Sequence, residues 1–176
     1  MKYRTIEELQ KEPNLKVGDK FIMADIDGRA VFIVADFDRE NICLVRKWLL
    51  KGERPLISGD FNAFNWLDQE YRESLPEDVR KNIEGSITLP SEMEVFGSNR
   101  YGEAEEGKQF EWFKNVLHRT AAVSKDEPYT DWWWTRTKRA SASYFALVNY
   151  AGFADIGAPS YSSIALRPHF IIKRNL

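Results

Sequence analysis

Residues 131–172 read DWWWTRTKRASASYFALVNYAGFADIGAPSYSSIALRPHFII, and this stretch decides how the chain is built. Three consecutive tryptophans, Trp132, Trp133 and Trp134, stand at one end, and an apolar run holding Arg167-Pro168 stands at the other. Between them lie mostly Ser, Ala, Tyr, Asn, Gly and Phe. The pattern predicts strands over 132–137, 143–149 and 164–172, with Gly152, Gly157 and Pro159 breaking the path between the last two. Pro168 lacks an amide donor, so inside a strand it demands an edge or a bulge. Side chains alternate along a strand, so Trp133 points opposite to Trp132 and Trp134. Trp133 is assigned to the core, and Trp132 or Trp134 to a ligand platform. Burying all three would require a core on both sides.

Upstream, residues 107–117 (GKQFEWFKNVL) align Phe110, Phe113 and Leu117 along a helical turn or two. Ser91 and Glu94 spell a capping box that Gly97 closes. A short helix starts around Pro76, with Val79 and Ile83 as its apolar stripe. Residues 62–71 place Phe64, Leu67 and Tyr71 on one helical face. Apolar runs at 21–24, 30–35 and 42–49, turned at Asp27-Gly28 and over 36–41, predict a three-stranded meander. Thr5 to Gln10 reads as a capped helix with Ile6 and Leu9 on one edge, stopped by Pro13.

At 176 residues the chain suits one domain, 43% hydrophobic and 30% charged, which excludes a disordered class. Aromatics reach 14%, and each one buried hides roughly 150–250 Å². A net charge of −2 offers no global field for nucleic acid or anionic membrane. No apolar run approaches the ~18 residues that span a bilayer. The first residues carry no basic-then-apolar signal, so synthesis in the cytoplasm is expected. Cys43 is the only cysteine; it lies in an apolar run and reads as a buried, inert thiol.

Chemistry-bearing patterns are sparse. His169 reads as a strand surface or a satisfied structural group, and His118 as a cation at a helix end. Asp25 to Gly28 reads as a hairpin turn in preference to a calcium loop. Glu105-Glu106 and Asp36/Asp38 read as solvated loop acids. No catalytic residue, metal or cofactor is assigned, and the chain is expected not to be an enzyme. Arg136, Lys138 and Arg139 place basic groups beside the tryptophans, which suits stacking of sugars or bases on the aromatic faces, or else a solvated basic loop with one structural Arg on a Trp. Arg167 reads as structural, because one guanidinium can satisfy several loop carbonyls.

Several of these residues form motifs. Trp133, Trp134 and Arg136, then Ala146, Val148 and Asn149, then Leu166, Arg167 and Pro168 match a W-W-L-R, A-x-V-N, V-R-P order. Leu89-Pro90-Ser91-Glu92 followed by Val95-Phe96-Gly97, and Trp66-Leu67, match two earlier elements. In these the chain resembles an uncharacterised domain family of bacteriophage proteins and of surface or secreted proteins of gut bacteria, over about residues 17–173. Thr135, Lys138 and Ala165 depart from its pattern. The resemblance implies an α+β, C-type lectin-like fold related to the formylglycine-generating-enzyme type. Small twisted antiparallel sheets, two or three short helices and a long irregular region are then expected in one domain over 1–176, with 1–16 as a helical lead-in. Those enzymes rely on cysteines near the domain's end, a place Cys43 does not occupy.

The resemblance also implies a non-enzymatic recognition module: a bacteriophage structural or receptor-binding protein, with a C-terminal surface open to diversification. Residues 139–163 are the expected display surface. The contact candidates are Trp134, Arg139, Tyr144, Asn149, Tyr150, Phe153, Asp155, Ser160 and Tyr161, of types that give adaptable contacts. Trp133, Arg136, Val148, Leu166, Arg167 and Pro168 are the expected frame. The partners would be a host-surface protein or glycan, other virion subunits, or further copies of the chain, without nucleic acid or membrane insertion. The location would be the virion, or the exterior after lysis. A decoration or tail-assembly subunit is the alternative, and a glycan-acting enzyme a third.

Overall fold

Helix α1 (Ile6–Gln10) begins where Thr5 and Glu8 close a reciprocal capping box, and Ile6 and Leu9 bury its inner edge. The computed structural model describes residues 5–52, 54–102, 107–139 and 143–175. Strands β1 (Lys20–Asp25), β2 (Gly28–Phe37) and β3 (Asn41–Arg46) form the expected antiparallel meander. The ribbon of β4 (Ile57–Ser58) and β5 (Phe61–Asn62) leads into α2 (Ala63–Trp66), where Asn62 Oδ1 accepts from the amides of Phe64 and Asn65. A π turn at Leu67–Tyr71 carries α2 into α3 (Arg72–Ser74), and Pro76 introduces α4 (Glu77–Arg80).

From here the chain departs from expectation in three places. Ile83, expected on the α4 stripe, opens β6 (Ile83–Thr88), because its neighbours pair with a distant strand. Helix α5 (Glu92–Phe96) has the expected Ser91/Glu94 box and a left-handed Gly97 at φ 73°. The next expected helix is replaced by 3-10 turns at Glu111–Lys114 and Val116–His118. Asn115 interrupts them with extended backbone, so Phe110 and Phe113 are buried while Leu117 is 76% exposed.

A ribbon of β7 (Ala121–Ala122) and β8 (Thr130–Asp131) precedes the hairpins of β9 (Trp133–Lys138), β10 (Phe145–Val148) and β11 (Ala154–Gly157). The last strand, β12 (His169–Lys173), starts only after Pro168. The proline therefore needs neither an edge nor a bulge, and its carbonyl accepts from Arg46 N at 2.9 Å. The architecture is α+β. A five-stranded sheet runs β1-β2-β3-β12-β6, a three-stranded sheet runs β11-β10-β9, and the helices are short.

The inner strands of both sheets are buried on both faces. Val34, Leu44, Trp134 and Leu147 join one core with Phe32, Phe170 and the helices. Their immediate neighbours Ala35, Val45, Trp133 and Val148 join a second core with Phe110 and Phe113. The period-two alternation thus feeds two cores at once, which explains runs of consecutive apolar residues in an antiparallel protein.

One polar network is buried inside the first part of the chain. Arg46 Nε donates to Asp25 Oδ2 at 2.8 Å, Nη2 to Asp27 Oδ2 at 2.9 Å, and Nη1 to the Leu49 and Trp48 carbonyls. Tyr71 from the π turn donates to Asp25 Oδ2 at 2.9 Å. Burial opposes the Arg46 charge, but the hydrogen bond and charge of Asp25 outweigh it, and its pKa is raised. Burial, then the Asp25 charge, pushes the Tyr71 hydroxyl well above its ordinary range. The Asp25–Gly28 turn is thus a hairpin whose carboxylates hold a guanidinium. Removing one member of such a buried pair strands the other charge. Arg46→Ala is expected to lower unfolding free energy by about 3–5 kcal/mol, and Tyr71→Phe by about 1–2 kcal/mol, in chemical denaturation. Equal, small losses would mean the network is not coupled.

Candidate functional site

The frame is built around β9. Trp133 is fully buried: its indole Nε1 donates to Arg119 O at 2.9 Å and its ring lies 6.0 Å from Phe113. Arg167, 2% exposed, flanks that ring pair, its guanidinium carbon 5.1 Å from the Trp133 centroid and 5.2 Å from that of Phe113. Its Nε donates to Arg46 O at 3.0 Å, and its Nη1 to His118 O at 3.1 Å and Arg119 O at 3.4 Å. Burial pulls its pKa down to about 9, so it remains a cation at neutral pH. The expectation that it gathers loop carbonyls is met.

Arg136 also belongs to the frame and not to a basic ligand patch. Its guanidinium takes both Glu94 oxygens, at 2.7 and 3.0 Å, and donates to Leu89 O at 2.9 Å. Burial opposes the Glu94 charge, yet the Arg136 hydrogen bond holds its pKa low. Glu94 therefore caps α5 and ties it to β9. Its neighbour Glu92 is fully buried, with Oε1 and Oε2 accepting the amides of Arg100, Tyr101 and Gly102 at 2.8–3.3 Å. Nothing in the local sequence of Glu92 separates it from an ordinary helix-start acid; its partners lie eight to ten residues on.

Two further expectations are corrected by burial. Asp36 lies in β2, not in a solvated loop, and is buried with Lys108 Nζ 2.9 Å from Oδ2. Glu105 and Glu106 fall outside the described residues. His169 is neither a surface group nor a satisfied one: it is buried beside Phe110, and neither ring nitrogen has a hydrogen-bond partner among the described residues. Cys43 is half-buried, and burial, then the charges of Asp36 and Glu94, pushes its thiol up to about 12.

The expected contact residues do not form one face. Trp134 is fully buried, and its ring packs so closely that a Cβ on Gly157 would lie 2.8 Å from it; it leaves the ligand surface. Arg139 and Tyr144 close the β9–β10 hairpin, where Arg139 N donates to Tyr144 O at 2.9 Å. Asn149, Tyr150 and Phe153 occupy the β10–β11 turn at the opposite end of the same strand. Asn149 Oδ1 is engaged there, accepting from the Ala151 and Phe153 amides. Asp155 is half-buried in β11 with Oδ1 accepting from Ile156 N, and Ser160 is exposed. Residues 140–142 lie outside the described residues.

What the fold does bring together is Trp132, Tyr150 and Tyr161. Trp132 packs its inner side against the first core, its ring centroid 6.3 Å from that of Tyr150. With Asp131, Tyr161, Ser163 and Ile164 it lines a cleft of about 340 Å³. Asp131 Oδ1 accepts from Trp132 N at 2.7 Å, and the same residue borders a second cleft of about 380 Å³ with Lys51 and Glu127. Tyr150 is anchored by Thr130, whose hydroxyl donates to the Tyr150 carbonyl at 2.8 Å. Of the two tryptophans proposed as a platform, Trp132 holds the accessible position. Asp131 was missed, since nothing in Tyr129-Thr130-Asp131 marks it apart from a polar loop.

Residues 79–174 match the model of the family described as a domain of unknown function, DUF6273. The chain belongs to this family. No curated protein matches it, and no solved structure does. The DUF6273 segment spans more than half of the chain, from α4 past β12, and so includes the frame, Trp132 and both clefts' β8 wall. Among its described residues no group of three or more His, Cys, Asp or Glu is placed to hold a metal ion, and no helix is long and apolar enough to cross a membrane.

His169 gives the frame a pH dependence with a definite sign. Burial, with Glu94 opposing and Arg136 assisting, lowers its pKa from 6.5 to about 4. The unfolded chain then binds the proton more tightly, so stability is full above pH ~6.5 and is lost as pH falls toward ~4. Across that window the parent protein should lose about 3 kcal/mol more than His169→Leu, in urea titrations at successive pH values. Parallel curves would show that His169 does not titrate as a buried base.

Proposed function

We propose that this DUF6273 chain is a non-enzymatic recognition module with a C-type lectin-like fold, most specifically a bacteriophage structural or receptor-binding protein. The supporting observation is the half-buried Trp132 flanked by the exposed Tyr150 and Tyr161 over a cleft that Asp131 enters. A tryptophan fixed by the core on one side offers its other side with little entropy left to lose, and tyrosines beside it add broad, amphipathic contact. The lectin-like reading draws support from the small antiparallel sheets, the short helices and the long irregular region between β6 and β9. On this reading the ligand is a host-surface protein or glycan, met outside the cell after lysis or on the virion.

Two other readings have an observation each. Exposed Val116, Leu117 and Tyr129 are apolar surface of the kind that subunit contacts cover, as in a decoration or tail-assembly role. Glu127 and Asp131 border one cleft, which a glycan hydrolase would use as its acid pair.

Glycan and cell-surface protein arrays probed with the purified chain separate the three. Binding of a discrete set of targets is expected, weakened at least tenfold by Tyr150→Ala with Tyr161→Ala and further by Trp132→Ala, with the melting temperature of the double variant unchanged. Binding that survives all three changes sinks the platform. Glycan turnover abolished by Asp131→Asn would select the hydrolase, and a stable oligomer in light scattering that buries Tyr150 and Tyr161 would select assembly.

A further inference from the structure

Beside the β7–β8 ribbon lies a separate cleft of about 210 Å³, which shares no lining residue with the Trp132 cleft. Ala121, Ala122 and Thr130 of the ribbon form one wall, and Lys47, Trp48, Trp112, Leu117, His118 and Arg167 complete most of the rest. No aspartate or glutamate is among the residues that line it. Its charge is of one sign. Lys47 is held 4.2 Å above the Trp48 ring, and burial, then the nearby Lys20 and Lys125, disfavours its charge. Arg167 is buried where it lines the cleft, and among the described residues it forms no ion pair. The three carbonyls and two rings around Arg167 satisfy donors and polarise toward the cation, but they bring no negative charge. A buried cation without a counter-charge is a standing cost that a ligand anion would remove.

The walls fix the rest of the ligand. Trp112 stacks on His118 with ring centroids 3.5 Å apart and 5° between planes, which makes a flat, rigid side. The Trp112 indole Nε1 is buried without a hydrogen-bond partner among the described residues. His118 Nδ1 lies 2.9 Å from Trp112 O, and since a carbonyl only accepts, Nδ1 carries the proton. Leu117, Pro128, Ala121 and Ala122 add apolar lining, with Thr120 and Thr130 beside them. A bare inorganic ion would leave those surfaces uncovered. The volume lies below the roughly 300–1,000 Å³ of pockets that enclose drug-sized molecules, so the guest is small.

We propose that this cleft binds a small organic carboxylate with a planar or apolar body, its charge toward Lys47 and Arg167 and its body against the Trp112 and Trp48 rings. This site is independent of the Trp132 platform: the two clefts share no lining residue, and either stands if the other fails.

Calorimetric titration at low ionic strength, followed in parallel by tryptophan fluorescence, tests it with benzoate, indole-3-acetate, benzamide and inorganic phosphate as probes. Saturable binding of the two carboxylates is expected, with benzamide and phosphate each at least tenfold weaker. Lys47→Glu should weaken benzoate at least tenfold, and Lys47→Met, which keeps the stem, should weaken it by a smaller factor if the Glu variant does not fold. Lys51→Glu, outside the cleft, should leave it unchanged. No saturable binding of either carboxylate, equal binding of benzamide or of phosphate, or equal losses in Lys47→Glu and Lys51→Glu would each overturn the proposal.

Discussion

The Arg167 guanidinium is the point on which the two halves of the molecule turn. It leaves the chain just before β12, lies against both Phe113 and Trp133, and bonds to carbonyls from the end of β3 and from the 3-10 segment. An arginine keeps its proton under ordinary conditions, so a buried one must have its surroundings built to suit it. Two ring faces and three carbonyls do that here. The Arg119 carbonyl accepts from both Arg167 and the Trp133 indole, so the large sheet, the 3-10 segment and the small sheet share one set of contacts.

Double-sided burial follows from that arrangement. With Trp133 committed to the core that holds Arg167 and Phe113, strand alternation sends Trp134 into the opposite core. The same step separates Leu147 from Val148 and Leu44 from Val45. Space around the second tryptophan is then so limited that β11 passes it only at a glycine, Gly157. On the other margin, Glu94–Arg136 and the Glu92 cradle pin α5 and the 100–102 loop to β9. These acids hold backbone and guanidinium in place, so the carboxylates of this region are consumed by structure.

The features visible in the sequence are those whose partners lie within a few residues. The Thr5 and Ser91 capping boxes, the left-handed Gly97 and the Asp27-Gly28 hairpin depend on neighbours three or four positions away at most, and each is present. Arg167 is legible as a frame residue because a guanidinium suits many acceptors, and Arg136 through the family motif, although which acceptors they meet is a long-range fact. By contrast, Asp25 meets Arg46 and Tyr71 across 21 and 46 residues, and β6 exists only because β12 supplies its partner. Leu117 fits a helical period until the backbone at Asn115 breaks it. The display surface fared similarly. Its aromatic types were legible, but β10 sends Tyr144 and Tyr150 to opposite ends, and Trp132 enters the site by packing that a tryptophan triplet does not encode.

The β7–β8 ribbon is where structure and recognition meet. Its two strands have two residues each, too few to be stable alone, so the ribbon owes its position to its surroundings. Leu49 N donates to Ala122 O from the large sheet's side, and Thr130 holds the Tyr150 carbonyl on the small sheet's side. Adjacent residues of β8 then serve opposite spaces, Thr130 the basic cleft and Asp131 the aromatic one. The alternation that divides Trp133 from Trp134 in the interior continues one turn of chain earlier at the surface. A cation-lined cleft and a carboxylate-bearing one therefore draw on neighbouring residues of the same two-residue strand, whose position the surrounding sheets fix.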